Sequence, residues 1–272
     1  MNTLSDAYYL FCFARDDLID EQSLGSGLTE DRRLLKISFK DIAMIVSKVC
    51  MEDFTGPDAE ERLNNVEWVT PRALRHGRIV QEMCQLSPIL PASFGTLFSS
   101  ADKLIRLAEL RQGLISSFLE WIKDMEEWSI KAYLDRNRLK SVLFQKRIES
   151  VEAELSKLSP GVRYFREKQI QAEVDKEISA WINDRIKTTA SDLEMIAERL
   201  QLRKTTKNVF DESDSELVAN WAILISSKRL DELERVVHSA NLDPARDGLQ
   251  LKLSGPWAPY SFAPALELET ET

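Results

Sequence analysis

Acid–base chemistry in this chain would have to start from His76 or His238, the only imidazoles among its 272 residues. A catalytic imidazole needs a nucleophile or a carboxylate within hydrogen-bond reach. The surroundings, RALRHGR and RVVHSAN, place neither one helical turn away. Cys84 follows His76 by eight residues on one expected helix, which puts the two about 12 Å apart, too far for a thiolate–imidazole pair. Both histidines therefore read as ordinary surface or interfacial side chains. Cys12, Cys50 and Cys84 are odd in number and widely spaced, which suits neither a disulfide framework nor paired metal ligands, so reduced, buried thiols are expected. The acidic pairs Glu60-Glu61, Glu126-Glu127 and Asp211-Glu212 have the charge to hold a cation, but isolated pairs at termini and turns read as solvated faces. Glycine-rich phosphate loops, the H-E-x-x-H zinc signature and the G-x-S-x-G elbow are all missing from the sequence. No catalytic, cofactor-binding or metal-ligating residue is expected.

Binding surfaces are the other possibility. Tyr8, Tyr9, Phe11 and Phe13 have the rings for a base-stacking platform. With 36 Lys and Arg against 45 Asp and Glu, a net charge of −9, the chain is poorly suited to nucleic acid, and the same aromatics read as a buried strand. The one local positive patch is RALRHGR, where Arg72, Arg75 and Arg78 form either a dock for an acidic partner or a plain solvated helix face.

The elements that must carry these residues follow from composition and periodicity. Gly and Pro number 9 each, which favours helix, and 43% hydrophobic content supports real cores. An α+β protein of two domains is expected, a small mixed α/β domain over residues 1–122 and a second over 123–262. Strands are expected at 7–15, 34–39 and 42–49, with a short exposed helix opening at 58–61. A helix then begins with Thr70 as cap and Pro71 at its first position, burying Leu74, Ile79, Val80, Met83, Cys84 and Leu86 until Pro88 stops it. Residues 88–98 read as a kinked extended piece, followed by one helix from about 101 to 119.

In the second domain residues 126–134 alternate as a half-buried strand, with Trp128, Ile130, Ala132 and Leu134 on one face. Residues 139–158 and 162–200 form an antiparallel pair of long helices, the second about 58 Å long if unbroken. Strands at 202–210 and 217–225 joined by the turn 211–214, a helix at 227–240 and a last strand on Leu249, Leu251 and Leu253 complete the order. That is the β-α-β-β-α-β, ferredoxin-like order with a long helical extension. Residues 263–272 read as an acidic, flexible tail. The N-terminus lacks a basic signal region, and no stretch approaches a membrane span, so a cytoplasmic protein without a membrane anchor is expected.

Five segments together resemble one family. YYLFCFAR, DIAMIVSKV, the run from Arg75-His76 to P-A-S-F-G-T-L-F, S-P-G-V-R-Y and the ending L-S-G-P-W-A-P-Y-S-F are similar to the gas vesicle GvpL/GvpF family over nearly the whole chain. Ala258 stands where that family often carries proline. The resemblance implies a non-enzymatic accessory or minor structural protein of gas vesicles. Its implied partners are the small hydrophobic GvpA-like shell protein and other accessory gas vesicle proteins, with a monomer favoured and no cofactor. The alternative is a small-ligand-binding protein or an enzyme on the ferredoxin-like scaffold. Within the ending, Trp257, Tyr260 and Phe262 read two ways: folded back over the core, where Trp257→Ala would cost about 3 kcal/mol, or held out by the prolines as a partner anchor.

Overall fold

The structure is a computed structural model and describes residues 6–56, 58–205, 215–242 and 248–266. Its contacts divide the chain into two compact units: the first runs to Glu126 and resumes at Trp257, and the second is Glu127–Pro256. The sequence reading closes the first domain at 122 and leaves 257–262 in the second. The chain returns to the first unit at Trp257 because Ala258 is buried in that unit's core.

In the first unit, β1 (Asp6–Arg15) is the central strand. It pairs antiparallel with β3 (Ile42–Cys50), which in turn pairs with β2 (Leu34–Phe39). A bulge between Leu10 and Cys12 resets the alternation, so Tyr9, Phe11, Cys12 and Ala14 all reach one core cluster. After α1 (Ala59–Asn64), α2 (Val66–Leu86) lies against that face, burying His76, Ile79, Val80 and Met83. Short strands β4 (Ile89–Pro91) and β5 (Leu97–Phe98) pair with β1, giving the order β2-β3-β1-β4. Helices α3 (Ala101–Leu110) and α4 (Gln112–Trp121) contact the strands with their own buried residues, Leu104, Leu107, Ile115 and Phe118.

Two expectations here are corrected. Helix α2 starts a full turn before Pro71, because the Asn65 side chain accepts from the Glu67 and Trp68 amides and caps it there; Thr70 caps nothing. Pro71 sits inside the helix, forfeiting one backbone bond near the N-terminus. The buried stripe is His76, Ile79, Val80 and Met83, while Leu74 and Leu86 face solvent. The single helix expected after Ser100 is broken at Arg111, whose φ −109 and ψ 12 leave the helical region.

In the second unit, β6 (Met125–Leu134) leads through an Asp135 cap into α5 (Arg136–Leu155), which turns into α6 (Pro160–Glu194). Then come β7 (Arg199–Leu202), β8 (Glu216–Ser226), α7 (Leu230–Leu242) and β9 (Leu249–Trp257). The sheet order is β7-β8-β6-β9. Trp128, Ile130, Ala132 and Leu134 line its core as expected, with Trp221, Ile223, Leu249 and Leu251 beside them. Helix α6 has 35 residues, about 52 Å, and stops short of residue 200. Leu200 belongs to β7, where it pairs with Ile223. The turn expected at 211–214, the Asp211-Glu212 pair and the tail from 267 lie outside the described residues. Glu127, expected on a solvated face, is buried and hydrogen-bonded to Arg203.

The fold is thus a mixed α+β chain with two antiparallel sheets and, among the described residues, seven α-helices. No described helix is long and apolar enough to cross a membrane.

Candidate functional site

The feature that gathers polar groups from the most distant parts of the first unit is an aromatic box around His76. Helix α2 presents this ring to β1, where Phe11 stacks on it at 5.5 Å and 24°. Tyr9, two residues earlier on the same face, meets it edge-on and bonds Nδ1 through its hydroxyl at 2.9 Å. The segment P-A-S-F-G-T closes another side. Its backbone is tied to β1 at both ends, Ala92 N to Phe11 O and Leu10 N to Thr96 O, each 2.9 Å. The tight turn between them needs Gly95 at φ 85, and Gly95 donates its amide to the Tyr9 hydroxyl. Phe94 then stands edge-on to His76 at 85°.

The last wall comes from the end of the chain. Ala258 and Pro259 are buried, and Tyr260 turns its hydroxyl inward to His76 Nε2 at 2.9 Å. The outer part of the Tyr260 ring stays in solvent, with the residue 43% exposed. Both imidazole nitrogens are therefore occupied by phenols, an arrangement that a neutral ring satisfies in either tautomer.

Electrostatics agree with the geometry. Burial lowers the His76 pKa from 6.5 to about 4, against a smaller opposing effect from the Ala92 backbone. Burial likewise raises both tyrosines and Cys12 above their ordinary values. At neutral pH the box holds an uncharged imidazole and two protonated phenols, 4% of the histidine being exposed. Its capacity is mechanical: it fastens the chain's C-terminal segment to α2 and β1.

The six residues singled out from sequence are distributed as follows. Tyr260 is part of the box. Phe262 is half-buried, its amide bonded to Pro259 O, and Trp257 is 51% exposed. Arg75 donates to the carbonyls of Ser26 (2.7 Å) and Gly27 (3.1 Å), pinning the loop before β2. Arg72 lies over the Trp68 ring at 4.0 Å and donates to Trp68 O, while Arg78 is exposed. The patch therefore commits two of its three cations to its own fold. His76, set among them in sequence, is the residue that meets the C-terminal segment. Sequence reading misses it, although His76, Ile79, Val80 and Met83 repeat at i, i+3, i+4 and i+7, the signal of a buried stripe.

With half its surface in solvent, Trp257 is not a core residue. Trp257→Ala is expected to cost less than about 1 kcal/mol in urea denaturation. A loss near 3 kcal/mol would return the ring to the core.

Other concave surfaces offer less. An open groove between the end of α6 and α7 has Ile196, Val236 and Ala240 at its floor, but its charges are engaged elsewhere, Glu232 with Arg229 and Arg235 with the Asp231 carbonyl. Among the described residues no group of three or more His, Cys, Asp or Glu is placed to hold a metal ion.

Comparison with known proteins gives one consistent result. The family model described as gas vesicle synthesis protein GvpL/GvpF matches residues 7–264. Gas vesicle protein L2 of Halobacterium salinarum is 24% identical over 275 residues, covering 96% of this chain and 92% of that protein. Gas vesicle protein L of a Streptomyces species is 24% identical over 258 residues, covering 94% and 92%. Among solved structures, GvpF of Anabaena sp. PCC7120 superposes with a TM-score of 0.66 at 15% identity, covering 96% of this chain and 97% of that one. GvpF of Microcystis aeruginosa gives 0.64 at 15% identity, covering 95% and 99%.

Proposed function

Since the chain belongs to the GvpL/GvpF family of gas vesicle synthesis proteins, we propose that it is an accessory or minor structural protein of gas vesicle assembly that works by binding. Its partners in this reading are the small hydrophobic shell protein and other accessory gas vesicle proteins. It acts in the cytoplasm and on the vesicle, as a monomer before it meets them. The carrying observation is the extent of the family match, which runs from the first strand to past the aromatic ending at residue 264. A small apolar shell subunit aggregates unless a soluble partner covers or nucleates it, and an acidic protein of net charge −9 is suited to that task.

The second unit fits a ferredoxin-like architecture in this reading. Counted within the unit, β7-β8-β6-β9 is the order 2-3-1-4 of a β-α-β-β-α-β chain, with α5 and α6 together taking the place of the first helix. A non-enzymatic role is favoured by the state of His76, the imidazole on which chemistry would most readily have been built: it is buried, neutral and bonded at both nitrogens.

The test is co-purification of the tagged chain with the co-expressed shell protein, a charge-matched unrelated protein serving as control. Retention above control is expected. No retention, repeated with the other accessory proteins present, would leave only a shared fold and put the ligand-binding or enzymatic reading first.

A further inference from the structure

The α5–α6 hairpin hides its apolar residues along most of its length. Ile170, Val174 and Ile178 are 1–2% exposed, Leu155 is 2% exposed, and partly buried Leu143, Phe144, Ile148 and Val151 pack beside them. Ion pairs across the two helices, Lys140–Asp175, Arg147–Glu177 and Arg163–Glu152, bind the same seam from outside. At the turn this concealment stops. Leu158 is 38% exposed, Val162 53%, Tyr164 56% and Phe165 70%, four apolar side chains within eight residues. Pro160 at the first position of α6 fixes the turn, and the Tyr164 and Phe165 rings stand edge to face at 6.0 Å. A hairpin that needed only to reverse direction would end in polar residues, and an exposed cluster on an otherwise well-packed element marks a contact surface.

Charge narrows the occupant. Residues 156–168 carry four cations, Lys157, Arg163, Arg166 and Lys168, against one anion, Glu167, on a chain whose net charge is −9. Arg163 is paired with Glu152 and Glu167 and Arg166 with Glu173, so the positive surplus at the tip is carried by Lys157 and by Lys168, which lies over the Tyr164 ring. The acidic protein thus concentrates positive charge around this exposed aromatic tip. An anionic bilayer would repel the rest of the molecule, and a second copy would bring two positive tips together. A protein recess with an apolar floor and a carboxylate rim meets the tip alone. From this we infer that the end of the α5–α6 hairpin, Leu158, Val162, Tyr164 and Phe165, is a docking tip that inserts into an apolar, carboxylate-rimmed recess on another gas vesicle protein. The inference rests on the assembly role proposed above. Helix α6 carries the tip about 40 Å from Leu193, where the helix is anchored in the core of its own unit, so the hairpin acts as a stiff arm.

The experiment uses the full chain, co-expressed one at a time with the shell protein and with each accessory gas vesicle protein of the same genome. Three forms are compared: wild type, Tyr164→Ser/Phe165→Ser and Arg166→Glu/Lys168→Glu. Both variants change exposed residues and are expected to keep the wild-type melting midpoint. At least one partner is expected to be captured by wild type, with capture falling about tenfold or more in each variant. The wild-type interaction should also weaken with salt. Capture by wild type and both variants alike would overturn the tip while leaving the assembly role standing. Capture of nothing by wild type would remove the assembly role and the tip with it. Tip-dependent flotation on phosphatidylcholine vesicles with about one-third phosphatidylserine, or tip-dependent self-association in sedimentation, without capture of a gas vesicle protein, would overturn the protein partner in favour of a lipid surface or a second copy.

Discussion

Between pH 6.5 and 4 the protein is expected to lose about 3 kcal/mol of stability through His76 alone. In the folded state burial holds this imidazole at about 4, against 6.5 for the free group. Within that interval the unfolded chain binds a proton that the native state refuses, so stability rises with pH across it. The full contribution is present above 6.5 and is lost as pH falls toward 4. A tenfold difference in proton affinity between the two states is worth about 1.4 kcal/mol, which sets the size. Tyr9, Tyr260, Cys12 and Cys84 are the ionisable groups that influence the box, and phenols and thiols have no proton to exchange in this range. Against the opposing effect of burial, Ser38 and Lys36 hold the half-buried Asp16 carboxyl low, as Arg15 does for exposed Asp17 and Arg229 for Glu232. Protonating these three lowers stability in the same direction near the bottom of the interval, so the measurement must be a difference. Urea denaturation of wild type and His76→Gln at several pH values isolates it. The variant's slope should be nearly flat where the wild type is steep. Parallel curves would mean that His76 is not buried as a neutral ring.

The same box shows which parts of this protein are legible in sequence. Strand β1 is easy, because a continuous apolar run bounded by aspartates has only a doubly buried strand to become, and β2, β3 and β6 fall almost on their expected limits. The P-A-S-F-G-T segment is recognisable as a kinked extended piece, but its purpose is not. That purpose depends on His76 meeting Tyr9 and Tyr260, which lie 67 and 184 residues from it, and no local pattern reports such a meeting. A histidine beside two arginines looks solvated until the helix is phased correctly. Placing Pro71 at its usual N-terminal position gives the wrong start, because Asn65 caps the helix a turn earlier, and the stripe of Ile79, Val80 and Met83 extends back to His76 rather than to Leu74.

Helix ends are obscured for a related reason. From residue 162 to 200 nothing in composition breaks the helical stripe, yet Leu200 is more stable as a ladder partner of Ile223 than in a further helical turn. Tertiary pairing overrides propensity at such ends. The hairpin tip lies in plain view as S-P-G-V-R-Y, but the exposure of Phe165 and Tyr164 is a property of what does not pack on them, which periodicity alone does not report. Of the residues that sequence suggests for partner contact, Arg72 and Arg75 are the ones whose charges the fold consumes.

Gly255→Ala is expected to cost about 3 kcal/mol, as much as the titration of His76, and for a purely steric reason. At φ +148 this residue occupies backbone space that side-chain-bearing residues rarely adopt. A Cβ placed there would lie 2.9 Å from two atoms of the Trp128 ring and 3.1 Å from the Glu127 carbonyl oxygen. Neither neighbour can yield cheaply: the ring is 9% exposed within the second unit's core, and the carbonyl belongs to β6. Strain and overpacking each cost on the order of 1–3 kcal/mol. Gly161→Ala is the matched control, since a Cβ there meets nothing within 4 Å and the backbone needs no glycine. It should be neutral or slightly stabilising. If the two variants unfolded at the same urea concentration, the close approach of β9 to Trp128 would be dispensable. If they differ as expected, the G-P-W ending divides its work by residue. Gly255 is required by the fold, whereas Trp257, two positions later, keeps half its surface in solvent.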